Sequence, residues 1–173
     1  KPRAVIDAMT HAYEAEYANV HRGLHHLSMV ATEAYEGVRG KIARFLGVAD
    51  EREIVFTSGA TEGINLVSYG WAAPRLQAGD EIILTIAEHH ANIVPWHFLR
   101  ERLGVKLVWV ETDMNGDLDP QAMIDVITPR TRLIAMSHMS NVLGTVFDVK
   151  TVIDAAHARD IPVLVDGSQA AVH

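Results

Sequence analysis

No cysteine occurs anywhere in the 173 residues. That absence excludes disulfides, thiolate metal sites and a cysteine nucleophile within the chain. It also removes the secreted, disulfide-stapled class of small domains. No apolar run approaches the roughly 18 residues that mark a membrane span. No signal peptide is recognisable, although the sequence opens on Lys1-Pro2-Arg3 without an initiator Met, which leaves room for an upstream targeting segment. Low-complexity tracts, internal repeats and a dividing linker are absent as well. Excess basic charge is also lacking. The net charge is -7, which argues against a general nucleic-acid or anionic-membrane role. What is present is apolar: 49% of residues are hydrophobic, enough for a substantial core in one domain of ordinary size.

The apolar residues are distributed in two periods. Val5, Met9, Tyr13 and Tyr17 recur every fourth residue and predict a first helix. A polar, His-rich loop follows from Ala18 to Leu27. Ala31, Ala34, Tyr35, Val38, Ile42 and Phe45 predict a second helix, stopped near Gly47. Short, nearly unbroken apolar runs predict five strands, at Glu53–Thr57, Glu81–Ile86, Val105–Val110, Arg132–Ser137 and Pro162–Val165. Between them, helices are expected after Ser58–Gly63, from Pro95 to Gly104, after Asp119-Pro120, and from Asp148 to about Arg159. Strands that alternate with helices imply an α/β fold with parallel pairing and right-handed crossovers. Continuous apolar strands imply that both faces of the sheet are covered.

The polar residues that stand out lie just beyond strand ends, where open α/β sheets bind ligands. Asp166 ends the apolar segment Ile161–Val165. A carboxylate there is costly to bury unpaired, so it suggests a cationic or protonated partner, such as a pyridinium nitrogen. Asp166 is equally suited to cap a following helix. Thr57 to Asn65 places small residues and the Thr61 hydroxyl at a strand-to-helix junction. Such a junction can cradle a phosphate through helix N–H groups, and it also suits an ordinary capped helix. It is neither Gly-x-Gly-x-x-Gly nor a P-loop. Glu88-His89-His90-Ala91-Asn92 follows the second strand. One imidazole there can stack on a planar ligand and shuttle protons, or the pair can be surface histidines. His21, His25 and His26 raise a metal reading, but neither histidine cluster has zinc spacing. Asn141, after the fourth strand, can donate and accept hydrogen bonds without charge, and Asn and Gly also favour turns.

Taken in order, these segments resemble the fold-type I enzymes that use pyridoxal 5′-phosphate (PLP). Within them the chain is similar to the class V aminotransferase group, and to cysteine desulfurases of the SufS/CsdA type, also called selenocysteine lyases. The resemblance rests on Tyr17–Gly23, Thr57–Asn65, Glu88–Trp96, Ser140–Gly144 and Val165–Ala170, which span nearly the whole sequence. Ser168, where Ala is familiar, is a departure expected to leave the chemistry unaltered. The resemblance implies a three-layer large domain with a mostly parallel sheet. It implies that Ala60 and Thr61 hold the PLP phosphate and that His89 stacks on the ring and moves protons. Asp166 would pair with the pyridinium nitrogen and Gln169 with the phenolic oxygen. Asn141 would lie near that oxygen and the substrate carboxylate. His21 and Arg22 would reach the site of a neighbouring subunit in a homodimer. The implied reaction takes L-cysteine or L-selenocysteine to L-alanine and passes sulfur, through an enzyme persulfide, to an acceptor protein for Fe-S cluster assembly. The implied setting is cytoplasmic, with no metal, nucleic acid or membrane.

The same resemblance places a Schiff-base lysine in a Ser-x-His-Lys segment, and none of Lys1, Lys41, Lys106 or Lys150 has that context. Residues 1–173 are therefore expected to be part of the PLP-binding large domain. The N-terminal segment, the rest of that domain, the small domain and the persulfide cysteine would lie outside them, and these residues alone are expected to be inactive. In the family sheet two later strands separate Glu53–Thr57 from Pro162–Val165. Glu53–Thr57 should then find no strand neighbour here, and the other four should pair in the order third, second, fourth, fifth. Rival readings are another class V enzyme, kynureninase-like or epimerase-like; a non-catalytic remnant that binds PLP or a protein; and a His-rich metal binder.

Overall fold

The apolar runs become strands because each packs side chains against a core cluster on both faces of the sheet. The computed structural model describes residues 1–173, and it divides into two compact units, Lys1–Phe56 and Thr57–His173. The second unit holds all four strands: β1 (Glu81–Thr85), β2 (Lys106–Val110), β3 (Thr131–Ser137) and β4 (Val163–Asp166). They form one parallel sheet in the order β2-β1-β3-β4. This is the expected order. Within β1, Ile82 and Leu84 join one core cluster, and Ile83 joins the other. Within β3, Leu133 and Ala135 face the first cluster, and Ile134 and Met136 the second. Each such buried Leu, Ile or Met side chain contributes roughly 1.5–3 kcal/mol of transfer free energy.

Helices supply the outer layers of this unit. Ile64 of α3 (Ala60–Leu66) and Trp96 and Leu99 of α4 (Val94–Leu103) pack into the first cluster. Met123 of α5 (Pro120–Asp125) and Val152 and Ala156 of α6 (Val149–His157) pack into the second. The result is helix, sheet, helix: the three-layer α/β architecture. The predicted caps fall where their chemistry requires. The Asp119 carboxylate accepts from the Gln121 N–H at 2.9 Å, and Asp148 accepts from the Thr151 N–H at 3.1 Å. Gly104 ends α4 with φ at 73°, in the left-handed region where glycine carries no penalty.

The first unit is helical. It contains α1 (Arg3–His11), a wider turn over Ala12–Glu16, and α2 (His26–Leu46), which Gly47 ends at φ 70°. The first helix is thus shorter than its apolar spacing predicts, and the backbone is extended again at Tyr17. Val5, Met9, Tyr13 and Tyr17 do line up at that spacing, yet all four are exposed. The predicted strand Glu53–Thr57 is a correction. Glu51–Glu53 form a short turn of tight helix, and Ile54 is extended but enters no ladder. Ile54 is buried while Val55 is 64% exposed, so the segment alternates like a strand without having one as neighbour. A strand needs a paired edge, and as expected this segment has none within residues 1–173. No helix is long and apolar enough to cross a membrane.

Candidate functional site

Three strands of the second unit end beside one another, and their ends shape a cavity of about 280 Å³. Ala60, Thr61, His89, Asn141, Asp166 and Gln169, the six residues to which the resemblance assigns the cofactor, all line it. Ala91, Ser137, Met139 and Ser168 complete the lining. All ten come from the Thr57–His173 unit; His21 and Arg22 belong to the other unit.

Each wall has a local cause. At α3 the first helical hydrogen bond runs from the Gly63 N–H to the Gly59 carbonyl at 3.1 Å. The N–H groups of Ala60, Thr61 and Glu62 precede it and have no partner in their own helix. Glu62 turns back on the approach to the helix, accepting from the Ser58 N–H at 2.5 Å and from its hydroxyl at 2.6 Å. The Ser58 hydroxyl is the larger reason that the Glu62 carboxyl is held below its ordinary range.

His89 follows β1. Its Nδ1 accepts from the Ala91 N–H at 3.1 Å. Accepting there requires a bare Nδ1, so a neutral ring carries its proton on Nε2. Asn141 sits on a turn held by Ser140, whose hydroxyl oxygen accepts from the N–H groups of Val142 and Leu143 at 3.3 and 3.2 Å. Ser140 is buried and Asn141 is exposed, so the turn displays the amide.

Asp166 is the last residue of β4 and pairs in register with Ser137, the last of β3. Its Oδ1 accepts from the Ser168 N–H at 3.0 Å and from the Ser168 hydroxyl at 2.6 Å. Oδ2 accepts nothing from the chain. Ser168, the residue expected to leave the chemistry unaltered, is a direct hydrogen-bond partner of the acid.

Sequence reasoning missed the group beneath this cavity. Glu88 is only 8% exposed, and its carboxylate accepts four hydrogen bonds. Oε1 receives the Thr85 hydroxyl at 2.6 Å and the Ser137 N–H at 3.0 Å. Oε2 receives the Ser137 hydroxyl at 2.8 Å and Asn92 Nδ2 at 2.8 Å. Trp96 Nε1 donates to Asn92 Oδ1 at 3.1 Å and so fixes which way the amide faces. The available signal was compositional: polar Thr85 and Ser137 end apolar strands, and Glu88 lies three residues past the first of them. Nothing in the sequence announces that they meet.

In the first unit, His21 Nε2 lies 2.8 Å from Glu36 Oε1, and the His21 N–H donates to the Thr32 hydroxyl at 2.8 Å. Arg39 Nε donates to the other Glu36 oxygen at 2.9 Å. Arg39, and after it His21, hold the Glu36 carboxyl below its ordinary range. No group of three or more His, Cys, Asp or Glu side chains is arranged to hold a metal ion.

The sequence matches the family described as Aminotransferase class-V over residues 1–173. It is 48% identical to the cysteine desulfurase of Yersinia pestis, over all of this chain and 43% of that one. The crystal structure of the cysteine desulfurase CsdA from Escherichia coli superposes with a TM-score of 0.89 at 42% identity, covering 100% of this chain and 43% of that chain. The apo cysteine desulfurase of Thermococcus onnurineus NA1 gives a TM-score of 0.95 at 38% identity, covering 100% and 42%. The chain thus spans less than half the length of these relatives. A match over every residue, with the same fold throughout, is decisive: the chain belongs to the class V aminotransferase family.

Proposed function

We propose that residues 1–173 are part of the cofactor-binding large domain of a PLP-dependent cysteine desulfurase. The observation that carries this reading is the cavity itself. Ala60, Thr61, His89, Asn141, Asp166 and Gln169 come from four separate segments, three of them following strand ends and one opening a helix, and line one space. The cysteine desulfurases similar to this chain support the choice of reaction.

The residues present fit PLP. The volume is near the lower end for small-molecule pockets, roughly 300–1,000 Å³. The donors of Ala60 and Thr61, ahead of the first helical bond, suit a phosphate. The carboxylate of Asp166 keeps Oδ2 free for a protonated ring nitrogen. PLP, when bound, supplies an electron sink for a carbanion at the amino-acid carbon. The chain's own residues do the rest. Asp166 holds a proton at the ring nitrogen. Gln169 and Asn141 offer amide N–H groups to the phenolic oxygen, and Asn141 also to the substrate carboxylate. His89, with Nδ1 occupied by Ala91, exchanges protons through Nε2.

The overall reaction in this reading converts L-cysteine or L-selenocysteine to L-alanine and transfers sulfur, by way of a protein persulfide, to an acceptor protein for Fe-S cluster assembly. Because residues 1–173 hold no cysteine, the sulfur-accepting thiol must come from elsewhere. His21 and Arg22 are assigned to the site of a second copy in a homodimer, and the enzyme to the cytoplasm.

The test is direct. PLP is titrated into the protein at its natural length, followed by absorbance, with Asp166→Ala and Thr61→Ala alongside. Saturable uptake that both substitutions weaken at least about tenfold is expected, from the loss of a charged and a neutral hydrogen-bonding partner. Uptake indifferent to both would place PLP elsewhere and sink the proposal. Residues 1–173 alone, given PLP and L-cysteine, are expected to release sulfide no faster than free PLP.

A further inference from the structure

We propose that Glu88 is a positioning residue for this site, setting both His89 and Asp166 in the cavity lining; the inference rests on the PLP reading above.

The ladder between β1 and β3 ends before β3 does. β1 and β3 pair up to Leu84 and Ala135. Beyond that point β1 turns away, and the Ile86 N–H goes to the Val110 carbonyl at 3.0 Å, on the β2 side. The Ser137 N–H, buried and still facing the place β1 has left, needs an acceptor. Glu88 Oε1 supplies it at 3.0 Å, and Oε2 takes the Ser137 hydroxyl at 2.8 Å. The side chain thus extends the ladder by one rung where the backbone of β1 cannot. Ser137 is the register partner of Asp166, and the His138 N–H donates to the Asp166 carbonyl at 3.0 Å. The position of Asp166 is therefore set through Ser137 by Glu88. His89 is bonded to Glu88 through the chain, so the same carboxylate anchors that residue too.

The chemistry allows no substitute. All four lone-pair positions of the carboxylate receive hydrogens. A glutamine fits the volume but brings two donors of its own. With its nitrogen at the Oε1 position, the amide faces the Ser137 N–H, which cannot reverse. With its nitrogen at the Oε2 position, it faces Asn92 Nδ2, whose orientation Trp96 fixes. Either way one buried donor confronts another. Glu88 itself does not line the cavity, so any effect on a ligand is transmitted rather than direct.

The experiment compares wild type, Glu88→Gln and Thr85→Val in the protein at its natural length, each at a temperature where circular dichroism shows it folded. Thr85→Val removes one of the four donors, at a residue that does not line the cavity. Two quantities are read: the dissociation constant for PLP and the visible circular dichroism of bound PLP, which reports how the ring is held. Glu88→Gln should weaken PLP binding about tenfold or more and alter the spectrum, and Thr85→Val should do the same to a smaller degree. A merely structural role would lower the melting temperature and leave affinity and spectrum at wild-type values in the folded protein; that result overturns the inference. If Glu88→Gln does not fold, Thr85→Val decides on the same two readouts. If wild type itself takes up no PLP, the functional reading falls and this inference with it. Wild-type uptake with both variants indistinguishable from it rejects the inference alone.

Discussion

The two units of this chain treat their apolar residues in opposite ways. In Thr57–His173, Ile82, Ile83, Leu84, Trp96, Ile134 and Met136 are fully buried between sheet and helices. In Lys1–Phe56, α1 buries nothing, and α2, with 21 residues, buries only Ser28 and Ala43. Both units contain helices with apolar stripes. The difference is the sheet: it gives the second unit two faces to cover, and the first unit has none of its own. Helical periodicity states which residues want burial, and only a partner surface grants it.

The largest test of that contrast is truncation on each side. Trp96→Ala removes a fully buried indole and its hydrogen bond to Asn92, and should cost about 3–5 kcal/mol in urea unfolding. Met9→Ala, at a side chain 57% exposed, should stay within about 0.5 kcal/mol. Equal effects would break the contrast.

A buried charge comes next. Asp80 is 1% exposed and its Oδ2 accepts from the Gln77 N–H at 3.0 Å. Arg132 Nε stands 3.4 Å from Oδ1, at ion-pair distance but without hydrogen-bond geometry, so that oxygen has no hydrogen-bond donor. Asp80→Ala should destabilise the second unit by about 1–3 kcal/mol, by removing the acceptor of the Gln77 N–H and the ion-pair partner of Arg132. Thermal melts check it, and no loss would mean water reaches that amide.

Two glycines make a finer comparison. Gly47 and Gly104 both end helices with positive φ, at 70° and 73°. A Cβ at Gly47 meets nothing within 4 Å, whereas at Gly104 it meets Ala78 Cβ at 3.3 Å. Alanine at either should cost about 1–2 kcal/mol for the left-handed backbone, with Gly104→Ala the worse of the two. A larger loss at Gly47 would show that the first unit is packed more tightly than its exposure implies.

The smallest effect is in acid. Hydrogen bonds from Arg39 and then His21 lower the folded pKa of Glu36 from its ordinary 4.5, and the Thr151 hydroxyl and N–H lower that of Asp148 from 3.8. A depressed folded value stabilises fully above the unfolded value, and the gain is lost as pH falls through the folded one. Melting temperature should therefore drop below those ordinary values. Glu36→Gln and Asp148→Asn should each make the drop shallower, one in each unit. An unchanged slope in both would assign the acid sensitivity to other carboxylates.

Legibility in the sequence followed the same divide. β1, β2, β3 and β4 were readable because each is apolar on both faces, and their ends carried Asp166, His89 and Asn141 to one cavity. Asp119, Asp148 and Gly104 acted as local signals and stop or start helices where they stand. Glu53–Thr57 was misread because its composition suits a strand while pairing is a property of neighbours. Tyr13 and Tyr17 extended the helical period past the point where α1 ends. Glu88 escaped notice because its partner Ser137 lies 49 residues away. Ser168 was read by its size, and its contact with Asp166 is made by its hydroxyl and its N–H.

The order β2-β1-β3-β4 has one further consequence, for handling the molecule. Both outer strands present a row of unpaired N–H and C=O groups. β2 guards its edge with Lys106 at the start and bulky Trp109 near the end, the former exposed and the latter 37% exposed. β4 reads Val-Leu-Val before its acid and has no such gatekeeper. Free edges of that kind recruit strands from other chains. When residues 1–173 are produced alone, self-association should begin at Val163–Val165, and a lysine placed at Leu164 would trade core packing for solubility.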